Sequence, residues 1–271
     1  MEYKNIYNSI NNKKPIAFFD SGVGGLTVFS KVKEILPNEN YLYFGDTKNM
    51  PYGEKNKDQL IEFADKIFKF FEKHGAKAVV MACNTTSAVT YQTLKDNYNF
   101  IVYPIIQSVC STVANLQNVN SLGVIATPAT IKSQAYSKEI YKYNPKMKVY
   151  EIAAPNWVRI VEENRIYSPQ SIIQVQEIIE QMAEYNPDKI ILACTHYPYL
   201  MDVLCKFMPK EKFIDPALYF AQNIKADLEK RGMLNSEFEY EKFYVSSEPQ
   251  NFKDASKMFY NVEDLPKVVE L

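Results

Sequence analysis

The sequence predicts an α/β fold with two similar, doubly wound lobes, mainly parallel sheets and an active site in the cleft between the lobes. Two observations lead to this prediction. Short apolar runs rich in β-forming residues alternate with longer helical patterns, which is typical of a parallel sheet covered by helices on both faces. In addition, an apolar strand that ends in Ala-Cys occurs twice in the chain.

Most of the seven candidate strands are continuous apolar runs, as expected for strands buried on both faces. They comprise residues 16–19, 41–44, 78–82, 101–103, 122–126, 148–152 and 189–193. Between the strands, apolar residues at three- and four-residue steps predict amphipathic helices. One such helix contains Leu60, Ile61, Ala64, Ile67, Phe68 and Phe71, and another contains Ile172, Ile173, Val175, Ile178, Ile179 and Met182.

The repeated Ala-Cys segment predicts the two lobes. Residues 79–85 (Val-Val-Met-Ala-Cys-Asn-Thr) resemble residues 190–196 (Ile-Ile-Leu-Ala-Cys-Thr-His), and each segment places a cysteine at the carboxyl end of a strand. Ligands of open α/β sheets bind at these ends. We therefore expect one lobe from residues 1–106 plus about 216–271 with Cys83, and a second from residues 107–215 with Cys194.

Composition and charge argue against several classes of function. The 31 Lys and Arg residues balance 32 Asp and Glu residues without a basic stripe, so no nucleic-acid partner is expected. No apolar stretch has the length of a signal peptide core or a membrane span, so we expect a cytoplasmic protein without a membrane partner. Four scattered cysteines and two histidines favour neither a disulfide framework nor a metal site.

Two loops that follow predicted strands have the composition of ligand-binding loops. The first, Asp20-Ser21-Gly22-Val23-Gly24-Gly25, does not match the dinucleotide fingerprint, and by itself it also fits an Asp helix cap followed by a tight turn. The second, Met50-Pro51-Tyr52-Gly53, follows Gly45-Asp46-Thr47. It fits a plain loop as well as a lid whose tyrosine and backbone amides touch a substrate.

The two Ala-Cys segments are the strongest chemical signal. A cysteine at the end of a buried strand is usually an inert small hydrophobe, but at a helix N-terminus the dipole and free N–H groups favour the thiolate and lower its pKa. Two cysteines in matched contexts, with His196 near Cys194 to orient it or share a proton, favour a reactive pair. Cys110 and Cys205 lie in predicted helices with apolar neighbours and are interpreted as core.

A further strand end, at Thr127-Pro128-Ala129-Thr130, carries hydroxyls that either bind a carboxylate or cap a helix. Arginine is limited to Arg159, Arg165 and Arg231. If the substrate is an anionic amino acid, we therefore expect backbone N–H groups and Ser, Thr and Asn side chains to hold its carboxylates.

In this order and spacing, the motifs resemble the glutamate racemases, a branch of the Asp/Glu racemase superfamily. The matching segments are Asp20-Ser21-Gly22-Val23-Gly24-Gly25, Pro51-Tyr52-Gly53, Ala82-Cys83-Asn84-Thr85 and Ala193-Cys194-Thr195-His196-Tyr197-Pro198. The resemblance implies two α/β lobes and an enzyme that interconverts L- and D-glutamate without pyridoxal phosphate, metal or another cofactor. D-Glutamate would supply peptidoglycan synthesis, and a homodimer is the expected assembly.

By matching positions, the resemblance implies that Cys83 and Cys194 are the catalytic pair, assisted by Asp20 and His196 respectively. The implied substrate-binding set is Asp20, Ser21, Pro51, Tyr52, Gly53, Cys83, Asn84, Thr85, Thr127, Thr130, Cys194, Thr195 and His196. Glu162 matches the family's helper carboxylate better than Glu163 does, although the choice between them stays open.

One segment departs from the family pattern. Where the family commonly has Cys-Pro-Leu-Phe-Val-Pro before a Glu-Glu pair, this chain has Ala-Pro-Asn-Trp-Val-Arg at residues 154–159, followed by Ile-Val-Glu-Glu. The two glutamates are retained. The changed residues Asn156, Trp157 and Arg159 are interpreted as surface or interface variation.

Racemisation requires that the α-proton is removed from one face of the carbon and that a proton is returned to the other face. Thiols, with a pKa of roughly 8.5, suit both steps, which predicts general acid–base catalysis by one thiolate and one thiol. Three alternatives stay open: a racemase of aspartate or a hydantoin, an amino-acid-binding protein without α-proton exchange, and a thiol hydrolase. The hydrolase would use Cys194 and His196, which are two residues apart on a turn and so form a poor preformed dyad.

Overall fold

Two parallel sheets form the framework of the protein, for which the computed structural model describes residues 13–271. The chain forms β1 (Ile16–Asp20), β2 (Tyr41–Gly45), β3 (Ala78–Met81) and β4 (Ile101–Pro104) in the first sheet. It then forms β5 (Ser121–Ala126), β6 (Lys148–Ala153), β7 (Lys189–Ala193) and β8 (Phe213–Ile214) in the second. The chain returns to the first sheet with β9 (Glu241–Val245) and β10 (Lys267–Val268).

The strand order is β10-β9-β2-β1-β3-β4 in the first sheet and β6-β5-β7-β8 in the second, and every pairing is parallel. The predicted α/β class with mainly parallel sheets is therefore confirmed, and all seven predicted strands are present. The sequence analysis missed β8, β9 and β10. Two of these are only two residues long, and β9 begins with exposed or half-buried charged residues instead of an apolar run.

Eleven helices of the described chain connect and cover the strands. They are α1 (Leu26–Ile35), α2 (Lys57–Lys73), α3 (Asn84–Leu94), α4 (Ile105–Val113), α5 (Pro128–Ser133), α6 (Ala135–Tyr143), α7 (Trp157–Glu162), α8 (Pro169–Tyr185), α9 (Met201–Leu204), α10 (Pro216–Arg231) and α11 (Pro249–Ser256). Short 3₁₀ helices lie at Thr47–Asn49, Tyr52–Glu54, Tyr197–Leu200 and Lys210–Lys212.

Local sequence explains where the long helices begin and end. Asn56 and Gln59 form a capping box at the start of α2, and Ser168 caps α8 ahead of Pro169. At the carboxyl end of α10, Gly232 adopts a φ of 65°. Glycine adopts this left-handed conformation at low cost, and it terminates the helix. Both amphipathic helices predicted from the periodicity, α2 and α8, are confirmed.

Helices cover both faces of each sheet, and one layer of helices is shared. Phe18 of β1 and Val124 of β5 belong to a single buried cluster that includes residues of α1, α4 and α10. The side chain of the next residue in each strand lies on the opposite face of its sheet: Phe19 packs with α2, and Ile125 packs with α7 and α8. The two sheets thus share a central core, and the predicted division into residues 1–106 plus 216–271 and residues 107–215 stays a prediction.

Parallel pairing brings the carboxyl ends of neighbouring strands to one edge of each sheet. Asp20, the last residue of β1, is in register with Gly45 of β2, and Ala126 of β5 is in register with Ala193 of β7. Each of these edges continues into a loop that the sequence analysis selected. Across residues 13–271, none of the helices has both the length and the apolar character that crossing a membrane requires.

Candidate active site

A cavity of about 70 Å³ lies between the carboxyl ends of the two sheets, which is room for a few water molecules or one small organic molecule. Residues of both sheets contribute to its wall. The lining residues are Ser21, Met50, Pro51, Tyr52, Gly53, Glu54, Cys83, Asn84, Thr85, Thr127, Pro128, Pro155, Val158, Arg159, Cys194, Thr195 and His196.

The cavity brings together most of the residues selected from the sequence. The predicted residues in its lining are Ser21, Pro51, Tyr52, Gly53, Cys83, Asn84, Thr85, Thr127, Cys194, Thr195 and His196. Asp20, Thr130 and Glu162 are not in the lining, but each contacts a residue that is. Sequence reasoning missed Met50, Glu54, Pro128, Pro155 and Val158 as wall residues, and apart from their proximity to motif residues nothing in the sequence marks them.

Cys83 lies between β3 and α3 and is the N-cap residue of that helix. Its sulfur is 4.0 Å from the Oγ atom of Ser21, and only 6% of the residue is exposed. Burial, together with the nearby Asp20 carboxylate, raises the pKa of Cys83 to about 12. The expectation of a lowered pKa was therefore wrong for Cys83, because loss of solvent outweighs the donors at the helix N-terminus.

Cys194 follows β7 and contacts His196, with 3.8 Å between the sulfur and Nδ1. No α-helix begins directly at this cysteine: a 3₁₀ helix begins at Tyr197, with His196 as its N-cap residue, and the short helix α9 follows it. The turn nevertheless brings the thiol and the imidazole into contact. The prediction that Cys194 and His196 are poorly placed to form a preformed pair was therefore wrong. Their contact alone does not assign a hydrolase activity to the protein.

The other ring nitrogen of His196, Nε2, lies 2.5 Å from Oε1 of Glu162. Glu163, the alternative helper carboxylate, points elsewhere and pairs with Arg165 near the surface. Burial of the imidazole by itself would lower the pKa of His196, but the Glu162 carboxylate and Cys194 raise it well above the usual value. His196 is therefore held between a carboxylate and the Cys194 sulfur, and the Glu162 carboxylate favours its protonated form.

The close approach of His196 explains a glycine in the first motif. A Cβ atom at Gly24 would collide with the imidazole ring and with the Thr195 hydroxyl. Any side chain here would push the second strand end away from the first motif. Gly24 thus allows loops from the two sheets to pack directly against each other.

Asp20 is fully buried behind the cavity and links the two halves of the site. Its Oδ2 accepts the Gly22 N–H at 3.0 Å, and the Thr195 hydroxyl lies 3.5 Å from Oδ1. Burial raises the pKa of Asp20 to about 6, against the lowering effect of the His196 charge and of the backbone N–H groups of Gly22 and Gly25. This carboxyl group thus changes its charge just below neutral pH.

Hydroxyl and amide groups form the polar part of the wall. The Thr85 and Thr127 hydroxyls are 2.9 Å apart, and Thr130 lies 3.1 Å from Thr127, so three hydroxyls from both halves of the site meet. Asn84 accepts the Tyr136 O–H at 2.7 Å, whereas its Nδ2 has no partner among the described residues. These groups provide several hydrogen-bond donors for a carboxylate.

The Met50–Gly53 loop is fixed from behind by Asp46. The Tyr52 O–H donates to Asp46 at 2.5 Å, and the Asn49 amide donates to the same carboxylate at 2.9 Å. Tyr52 is buried, and Gly53 approaches Thr127 so closely that an added Cβ atom would lie 3.2 Å from the threonine Cβ. The loop therefore forms part of the cavity wall.

Part of the segment that departs from the family pattern belongs to the site: its interpretation as surface or interface variation was wrong for the buried Trp157, whereas Arg159 is exposed as predicted. Trp157 is 1% exposed and packs edge-on against Tyr197, with ring centroids 4.9 Å apart. Arg159 lines the cavity and forms an ion pair of 2.6 Å with Glu54 on the opposite loop. Only Asn156 is exposed and outside the wall, as expected.

The remaining cysteines lie outside the cavity. Cys110 is fully buried in α4, as predicted. Cys205 is exposed just after the short helix α9, so its interpretation as core was wrong: the apolar neighbours in sequence turn inward while the cysteine turns out. Over residues 13–271, no three His, Cys, Asp or Glu side chains are grouped so that they could hold a metal ion.

Known proteins match this chain over most of its length. A model of the family described as Asp/Glu/Hydantoin racemase matches residues 24–223. The glutamate racemase of Carboxydothermus hydrogenoformans is 35% identical over 255 residues, which cover 93% of this chain and 95% of that protein.

Solved structures share the fold. The glutamate racemase of Francisella tularensis, crystallised in complex with D-glutamate, has a TM-score of 0.88 and 34% identity, covering 95% of this chain and 98% of that one. The glutamate racemase of Thermus thermophilus, in complex with β-chloro-D-alanine, has a TM-score of 0.86 and 31% identity, covering 96% of this chain and 98% of that one.

Proposed function

Because the chain belongs to the Asp/Glu/hydantoin racemase family, we propose that it interconverts L- and D-glutamate, with Cys83 and Cys194 as acid and base. The observation that carries this proposal is the shared cavity: two cysteines that follow strands of two different sheets line one small chamber. Relatives named glutamate racemase, similar over nearly the whole chain, support glutamate as the substrate.

The proposed reaction moves one proton at a time. A cysteine thiolate takes the α-proton and becomes a thiol, which leaves the electron pair on the α-carbon. The other thiol then donates its proton to the opposite face and becomes a thiolate. Neither sulfur forms a bond to carbon, and the two cysteines exchange protonation states in each turnover.

The surroundings of the two sulfurs differ, which supports a starting state for the cycle. Cys83 is a thiol at neutral pH because burial raises its pKa to about 12. The Cys194 sulfur lies 3.8 Å from Nδ1 of His196, and a positive charge on a neighbouring imidazole stabilises a thiolate. We infer that Cys194 is the base and Cys83 the acid when substrate first binds.

The donors in the wall suit the rest of the reaction. The α-proton of an amino acid is far less acidic than a thiol, so the site must stabilise the negative charge that develops next to the α-carboxylate. The Asn84 amide and the Thr85 and Thr127 hydroxyls are buried donors positioned for that purpose. We propose no role for a cofactor or metal.

The wider biological role follows from the proposed reaction. We expect the D-glutamate to be used in peptidoglycan synthesis. We also expect the protein to act in the cytoplasm, and the homodimer stays a prediction. Racemases of aspartate or hydantoins remain the alternatives that use the same chemistry, and the family description includes them.

The test is incubation of the protein with L-glutamate in deuterated buffer without added cofactor. Circular dichroism follows the loss of optical activity, and proton NMR follows the loss of the α-proton signal. We expect both signals to disappear, at a rate proportional to enzyme concentration, and neither L-aspartate nor a hydantoin to match glutamate. Folded protein with intact thiols that changes neither signal would overturn the proposal.

A further inference from the structure

Thr86 lies in the first turn of α3, three residues after Cys83. Cys83 is the N-cap residue, so Asn84, Thr85 and Thr86 are the first three residues of the helix. The side chain of an N-cap residue normally accepts the backbone N–H of the second or third residue, and these N–H groups have no acceptor within the helix. The neutral Cys83 thiol, a weak acceptor, forms no such bond.

Besides its backbone N–H, Thr86 carries a second hydrogen-bond donor in the first turn of α3, the side-chain hydroxyl. Its hydroxyl is completely buried and has no hydrogen-bond partner in the described part of the chain. The other buried threonines of this helix are partnered: Thr85 contacts Thr127, and Thr90 donates to the Thr86 carbonyl at 2.9 Å. A buried hydroxyl without a partner is unfavourable, and it indicates an acceptor that exists only in another state of the site.

The Cys83 thiolate is such an acceptor. Burial disfavours the negative charge of this thiolate most, and the nearby Asp20 and Cys194 also disfavour it. Two further titratable groups, Tyr43 and Tyr52, lie near Cys83 and are themselves buried. The hydroxyl and the backbone N–H of Thr86 act in the opposite direction and lower the pKa of Cys83.

We propose that Thr86 is a positioning residue that donates its hydroxyl and its backbone N–H to the Cys83 thiolate when this thiolate is formed. Its importance for turnover depends on the proposed racemase function, in which Cys83 becomes a thiolate once in every cycle. The stabilisation of the thiolate itself does not depend on that function.

The direct test measures the reactivity of Cys83 in the absence of substrate. Alkylation by iodoacetamide is followed by peptide mass spectrometry, which separates Cys83 from Cys194, Cys110 and the exposed Cys205. Rates are compared above about pH 7, where Asp20 is ionised throughout because its pKa is about 6. Thr86→Val removes the hydroxyl, and we expect the alkylation of Cys83 to slow about tenfold at each pH, as for the loss of one hydrogen bond to a charged group.

Matched variants separate this effect from packing. Thr86→Ser keeps the hydroxyl and should alkylate at nearly the wild-type rate, whereas Thr86→Ala, which avoids strain from the valine methyl, should behave like Thr86→Val. Thr90→Val removes a buried hydroxyl one turn further along α3 and should leave Cys83 unchanged. Equal alkylation of Cys83 in wild type, Thr86→Val and Thr86→Ala would overturn the proposal.

Turnover gives the second readout. If the protein racemises glutamate, Thr86→Val should lower kcat about tenfold with little change in KM, shift the alkaline side of the pH profile upward, and be rescued by Thr86→Ser. If the wild-type protein does not racemise glutamate, the alkylation comparison still decides the role of Thr86. Failure of the proposed function and failure of this inference are therefore distinguishable.

Discussion

The Nε2 atom of His196 lies 2.5 Å from Oε1 of Glu162, while its Nδ1 atom lies 3.8 Å from the Cys194 sulfur. The imidazole therefore joins a carboxylate at the end of α7 to a thiol at the end of β7. The Glu162 carboxylate favours the protonated ring, and the positive charge of that form lies next to Cys194.

Replacing Glu162 with glutamine should lower the pKa of His196, because the carboxylate that raises it is lost. The chain has only two histidines, so NMR titration of the imidazole protons is simple, and the exposed His74 is an internal reference. We expect racemisation to slow in parallel. Glu163→Gln is the matched control and should change neither quantity; an unchanged His196 titration in Glu162→Gln would contradict this interpretation.

Each of the two cavity cysteines should be essential for inversion. Cys83→Ser and Cys194→Ser replace a thiol by a much weaker acid, and loss of one acid–base group lowers rates by about 100- to 10,000-fold. The fold should be retained, since serine is slightly smaller than cysteine. The exposed Cys205 gives the control, because Cys205→Ser should have wild-type turnover. Near-normal racemisation by either cavity variant would exclude the two-base mechanism.

Asp20 should make the stability of the protein depend on pH. Its pKa is raised from 3.8 to about 6 in the folded state, so its favourable contribution is fully present below pH 3.8 and is lost as pH rises through about 6. Asp20→Asn removes this titration. We expect the free energy of unfolding of wild type, relative to Asp20→Asn, to fall by on the order of 2–3 kcal/mol between pH 4 and 7.

Denaturant unfolding at several pH values measures this difference. The exposed carboxylate of Asp202 provides a control, and Asp202→Asn should follow the wild-type curve. Parallel curves for wild type and Asp20→Asn would mean that folding does not raise the pKa of Asp20.

The ion pair between Glu54 and Arg159 should affect substrate binding more than chemistry. Arg159→Gln leaves Glu54 unpaired at the cavity wall, and its charge would repel an anionic substrate. We expect KM to rise less than about tenfold, because both side chains are more than half exposed and such pairs are weak and screened by salt. The kcat value should change little.

The double variant Glu54→Gln/Arg159→Gln removes both charges and should return KM towards the wild-type value. Arg165→Gln breaks the Arg165–Glu163 pair outside the cavity and is the control. A KM that rises equally in the single and double variants, or that is insensitive to salt, would mean that the effect of Arg159 is not electrostatic.

Much of the architecture was predictable because it depends on local pattern. Continuous apolar runs identified the seven central strands, and three- to four-residue periodicity identified α2 and α8. Burial on both faces produces such patterns whatever the rest of the chain does. The short strands β8 and β10 have no pattern of their own, because each is only two residues long and forms by pairing with the strand that precedes it in the chain.

The order of the motifs, the two Ala-Cys strand ends and most of the site residues could be identified from the amino-acid sequence. The packing of the folded chain was needed to show that Glu162 and not Glu163 contacts His196, that Arg159 pairs with Glu54 across the cavity, and that Cys205 faces solvent. It also reversed the expected shift in the pKa of Cys83. These properties depend on burial and on charges brought together from distant parts of the chain, and both are fixed only when the two sheets pack on their shared core.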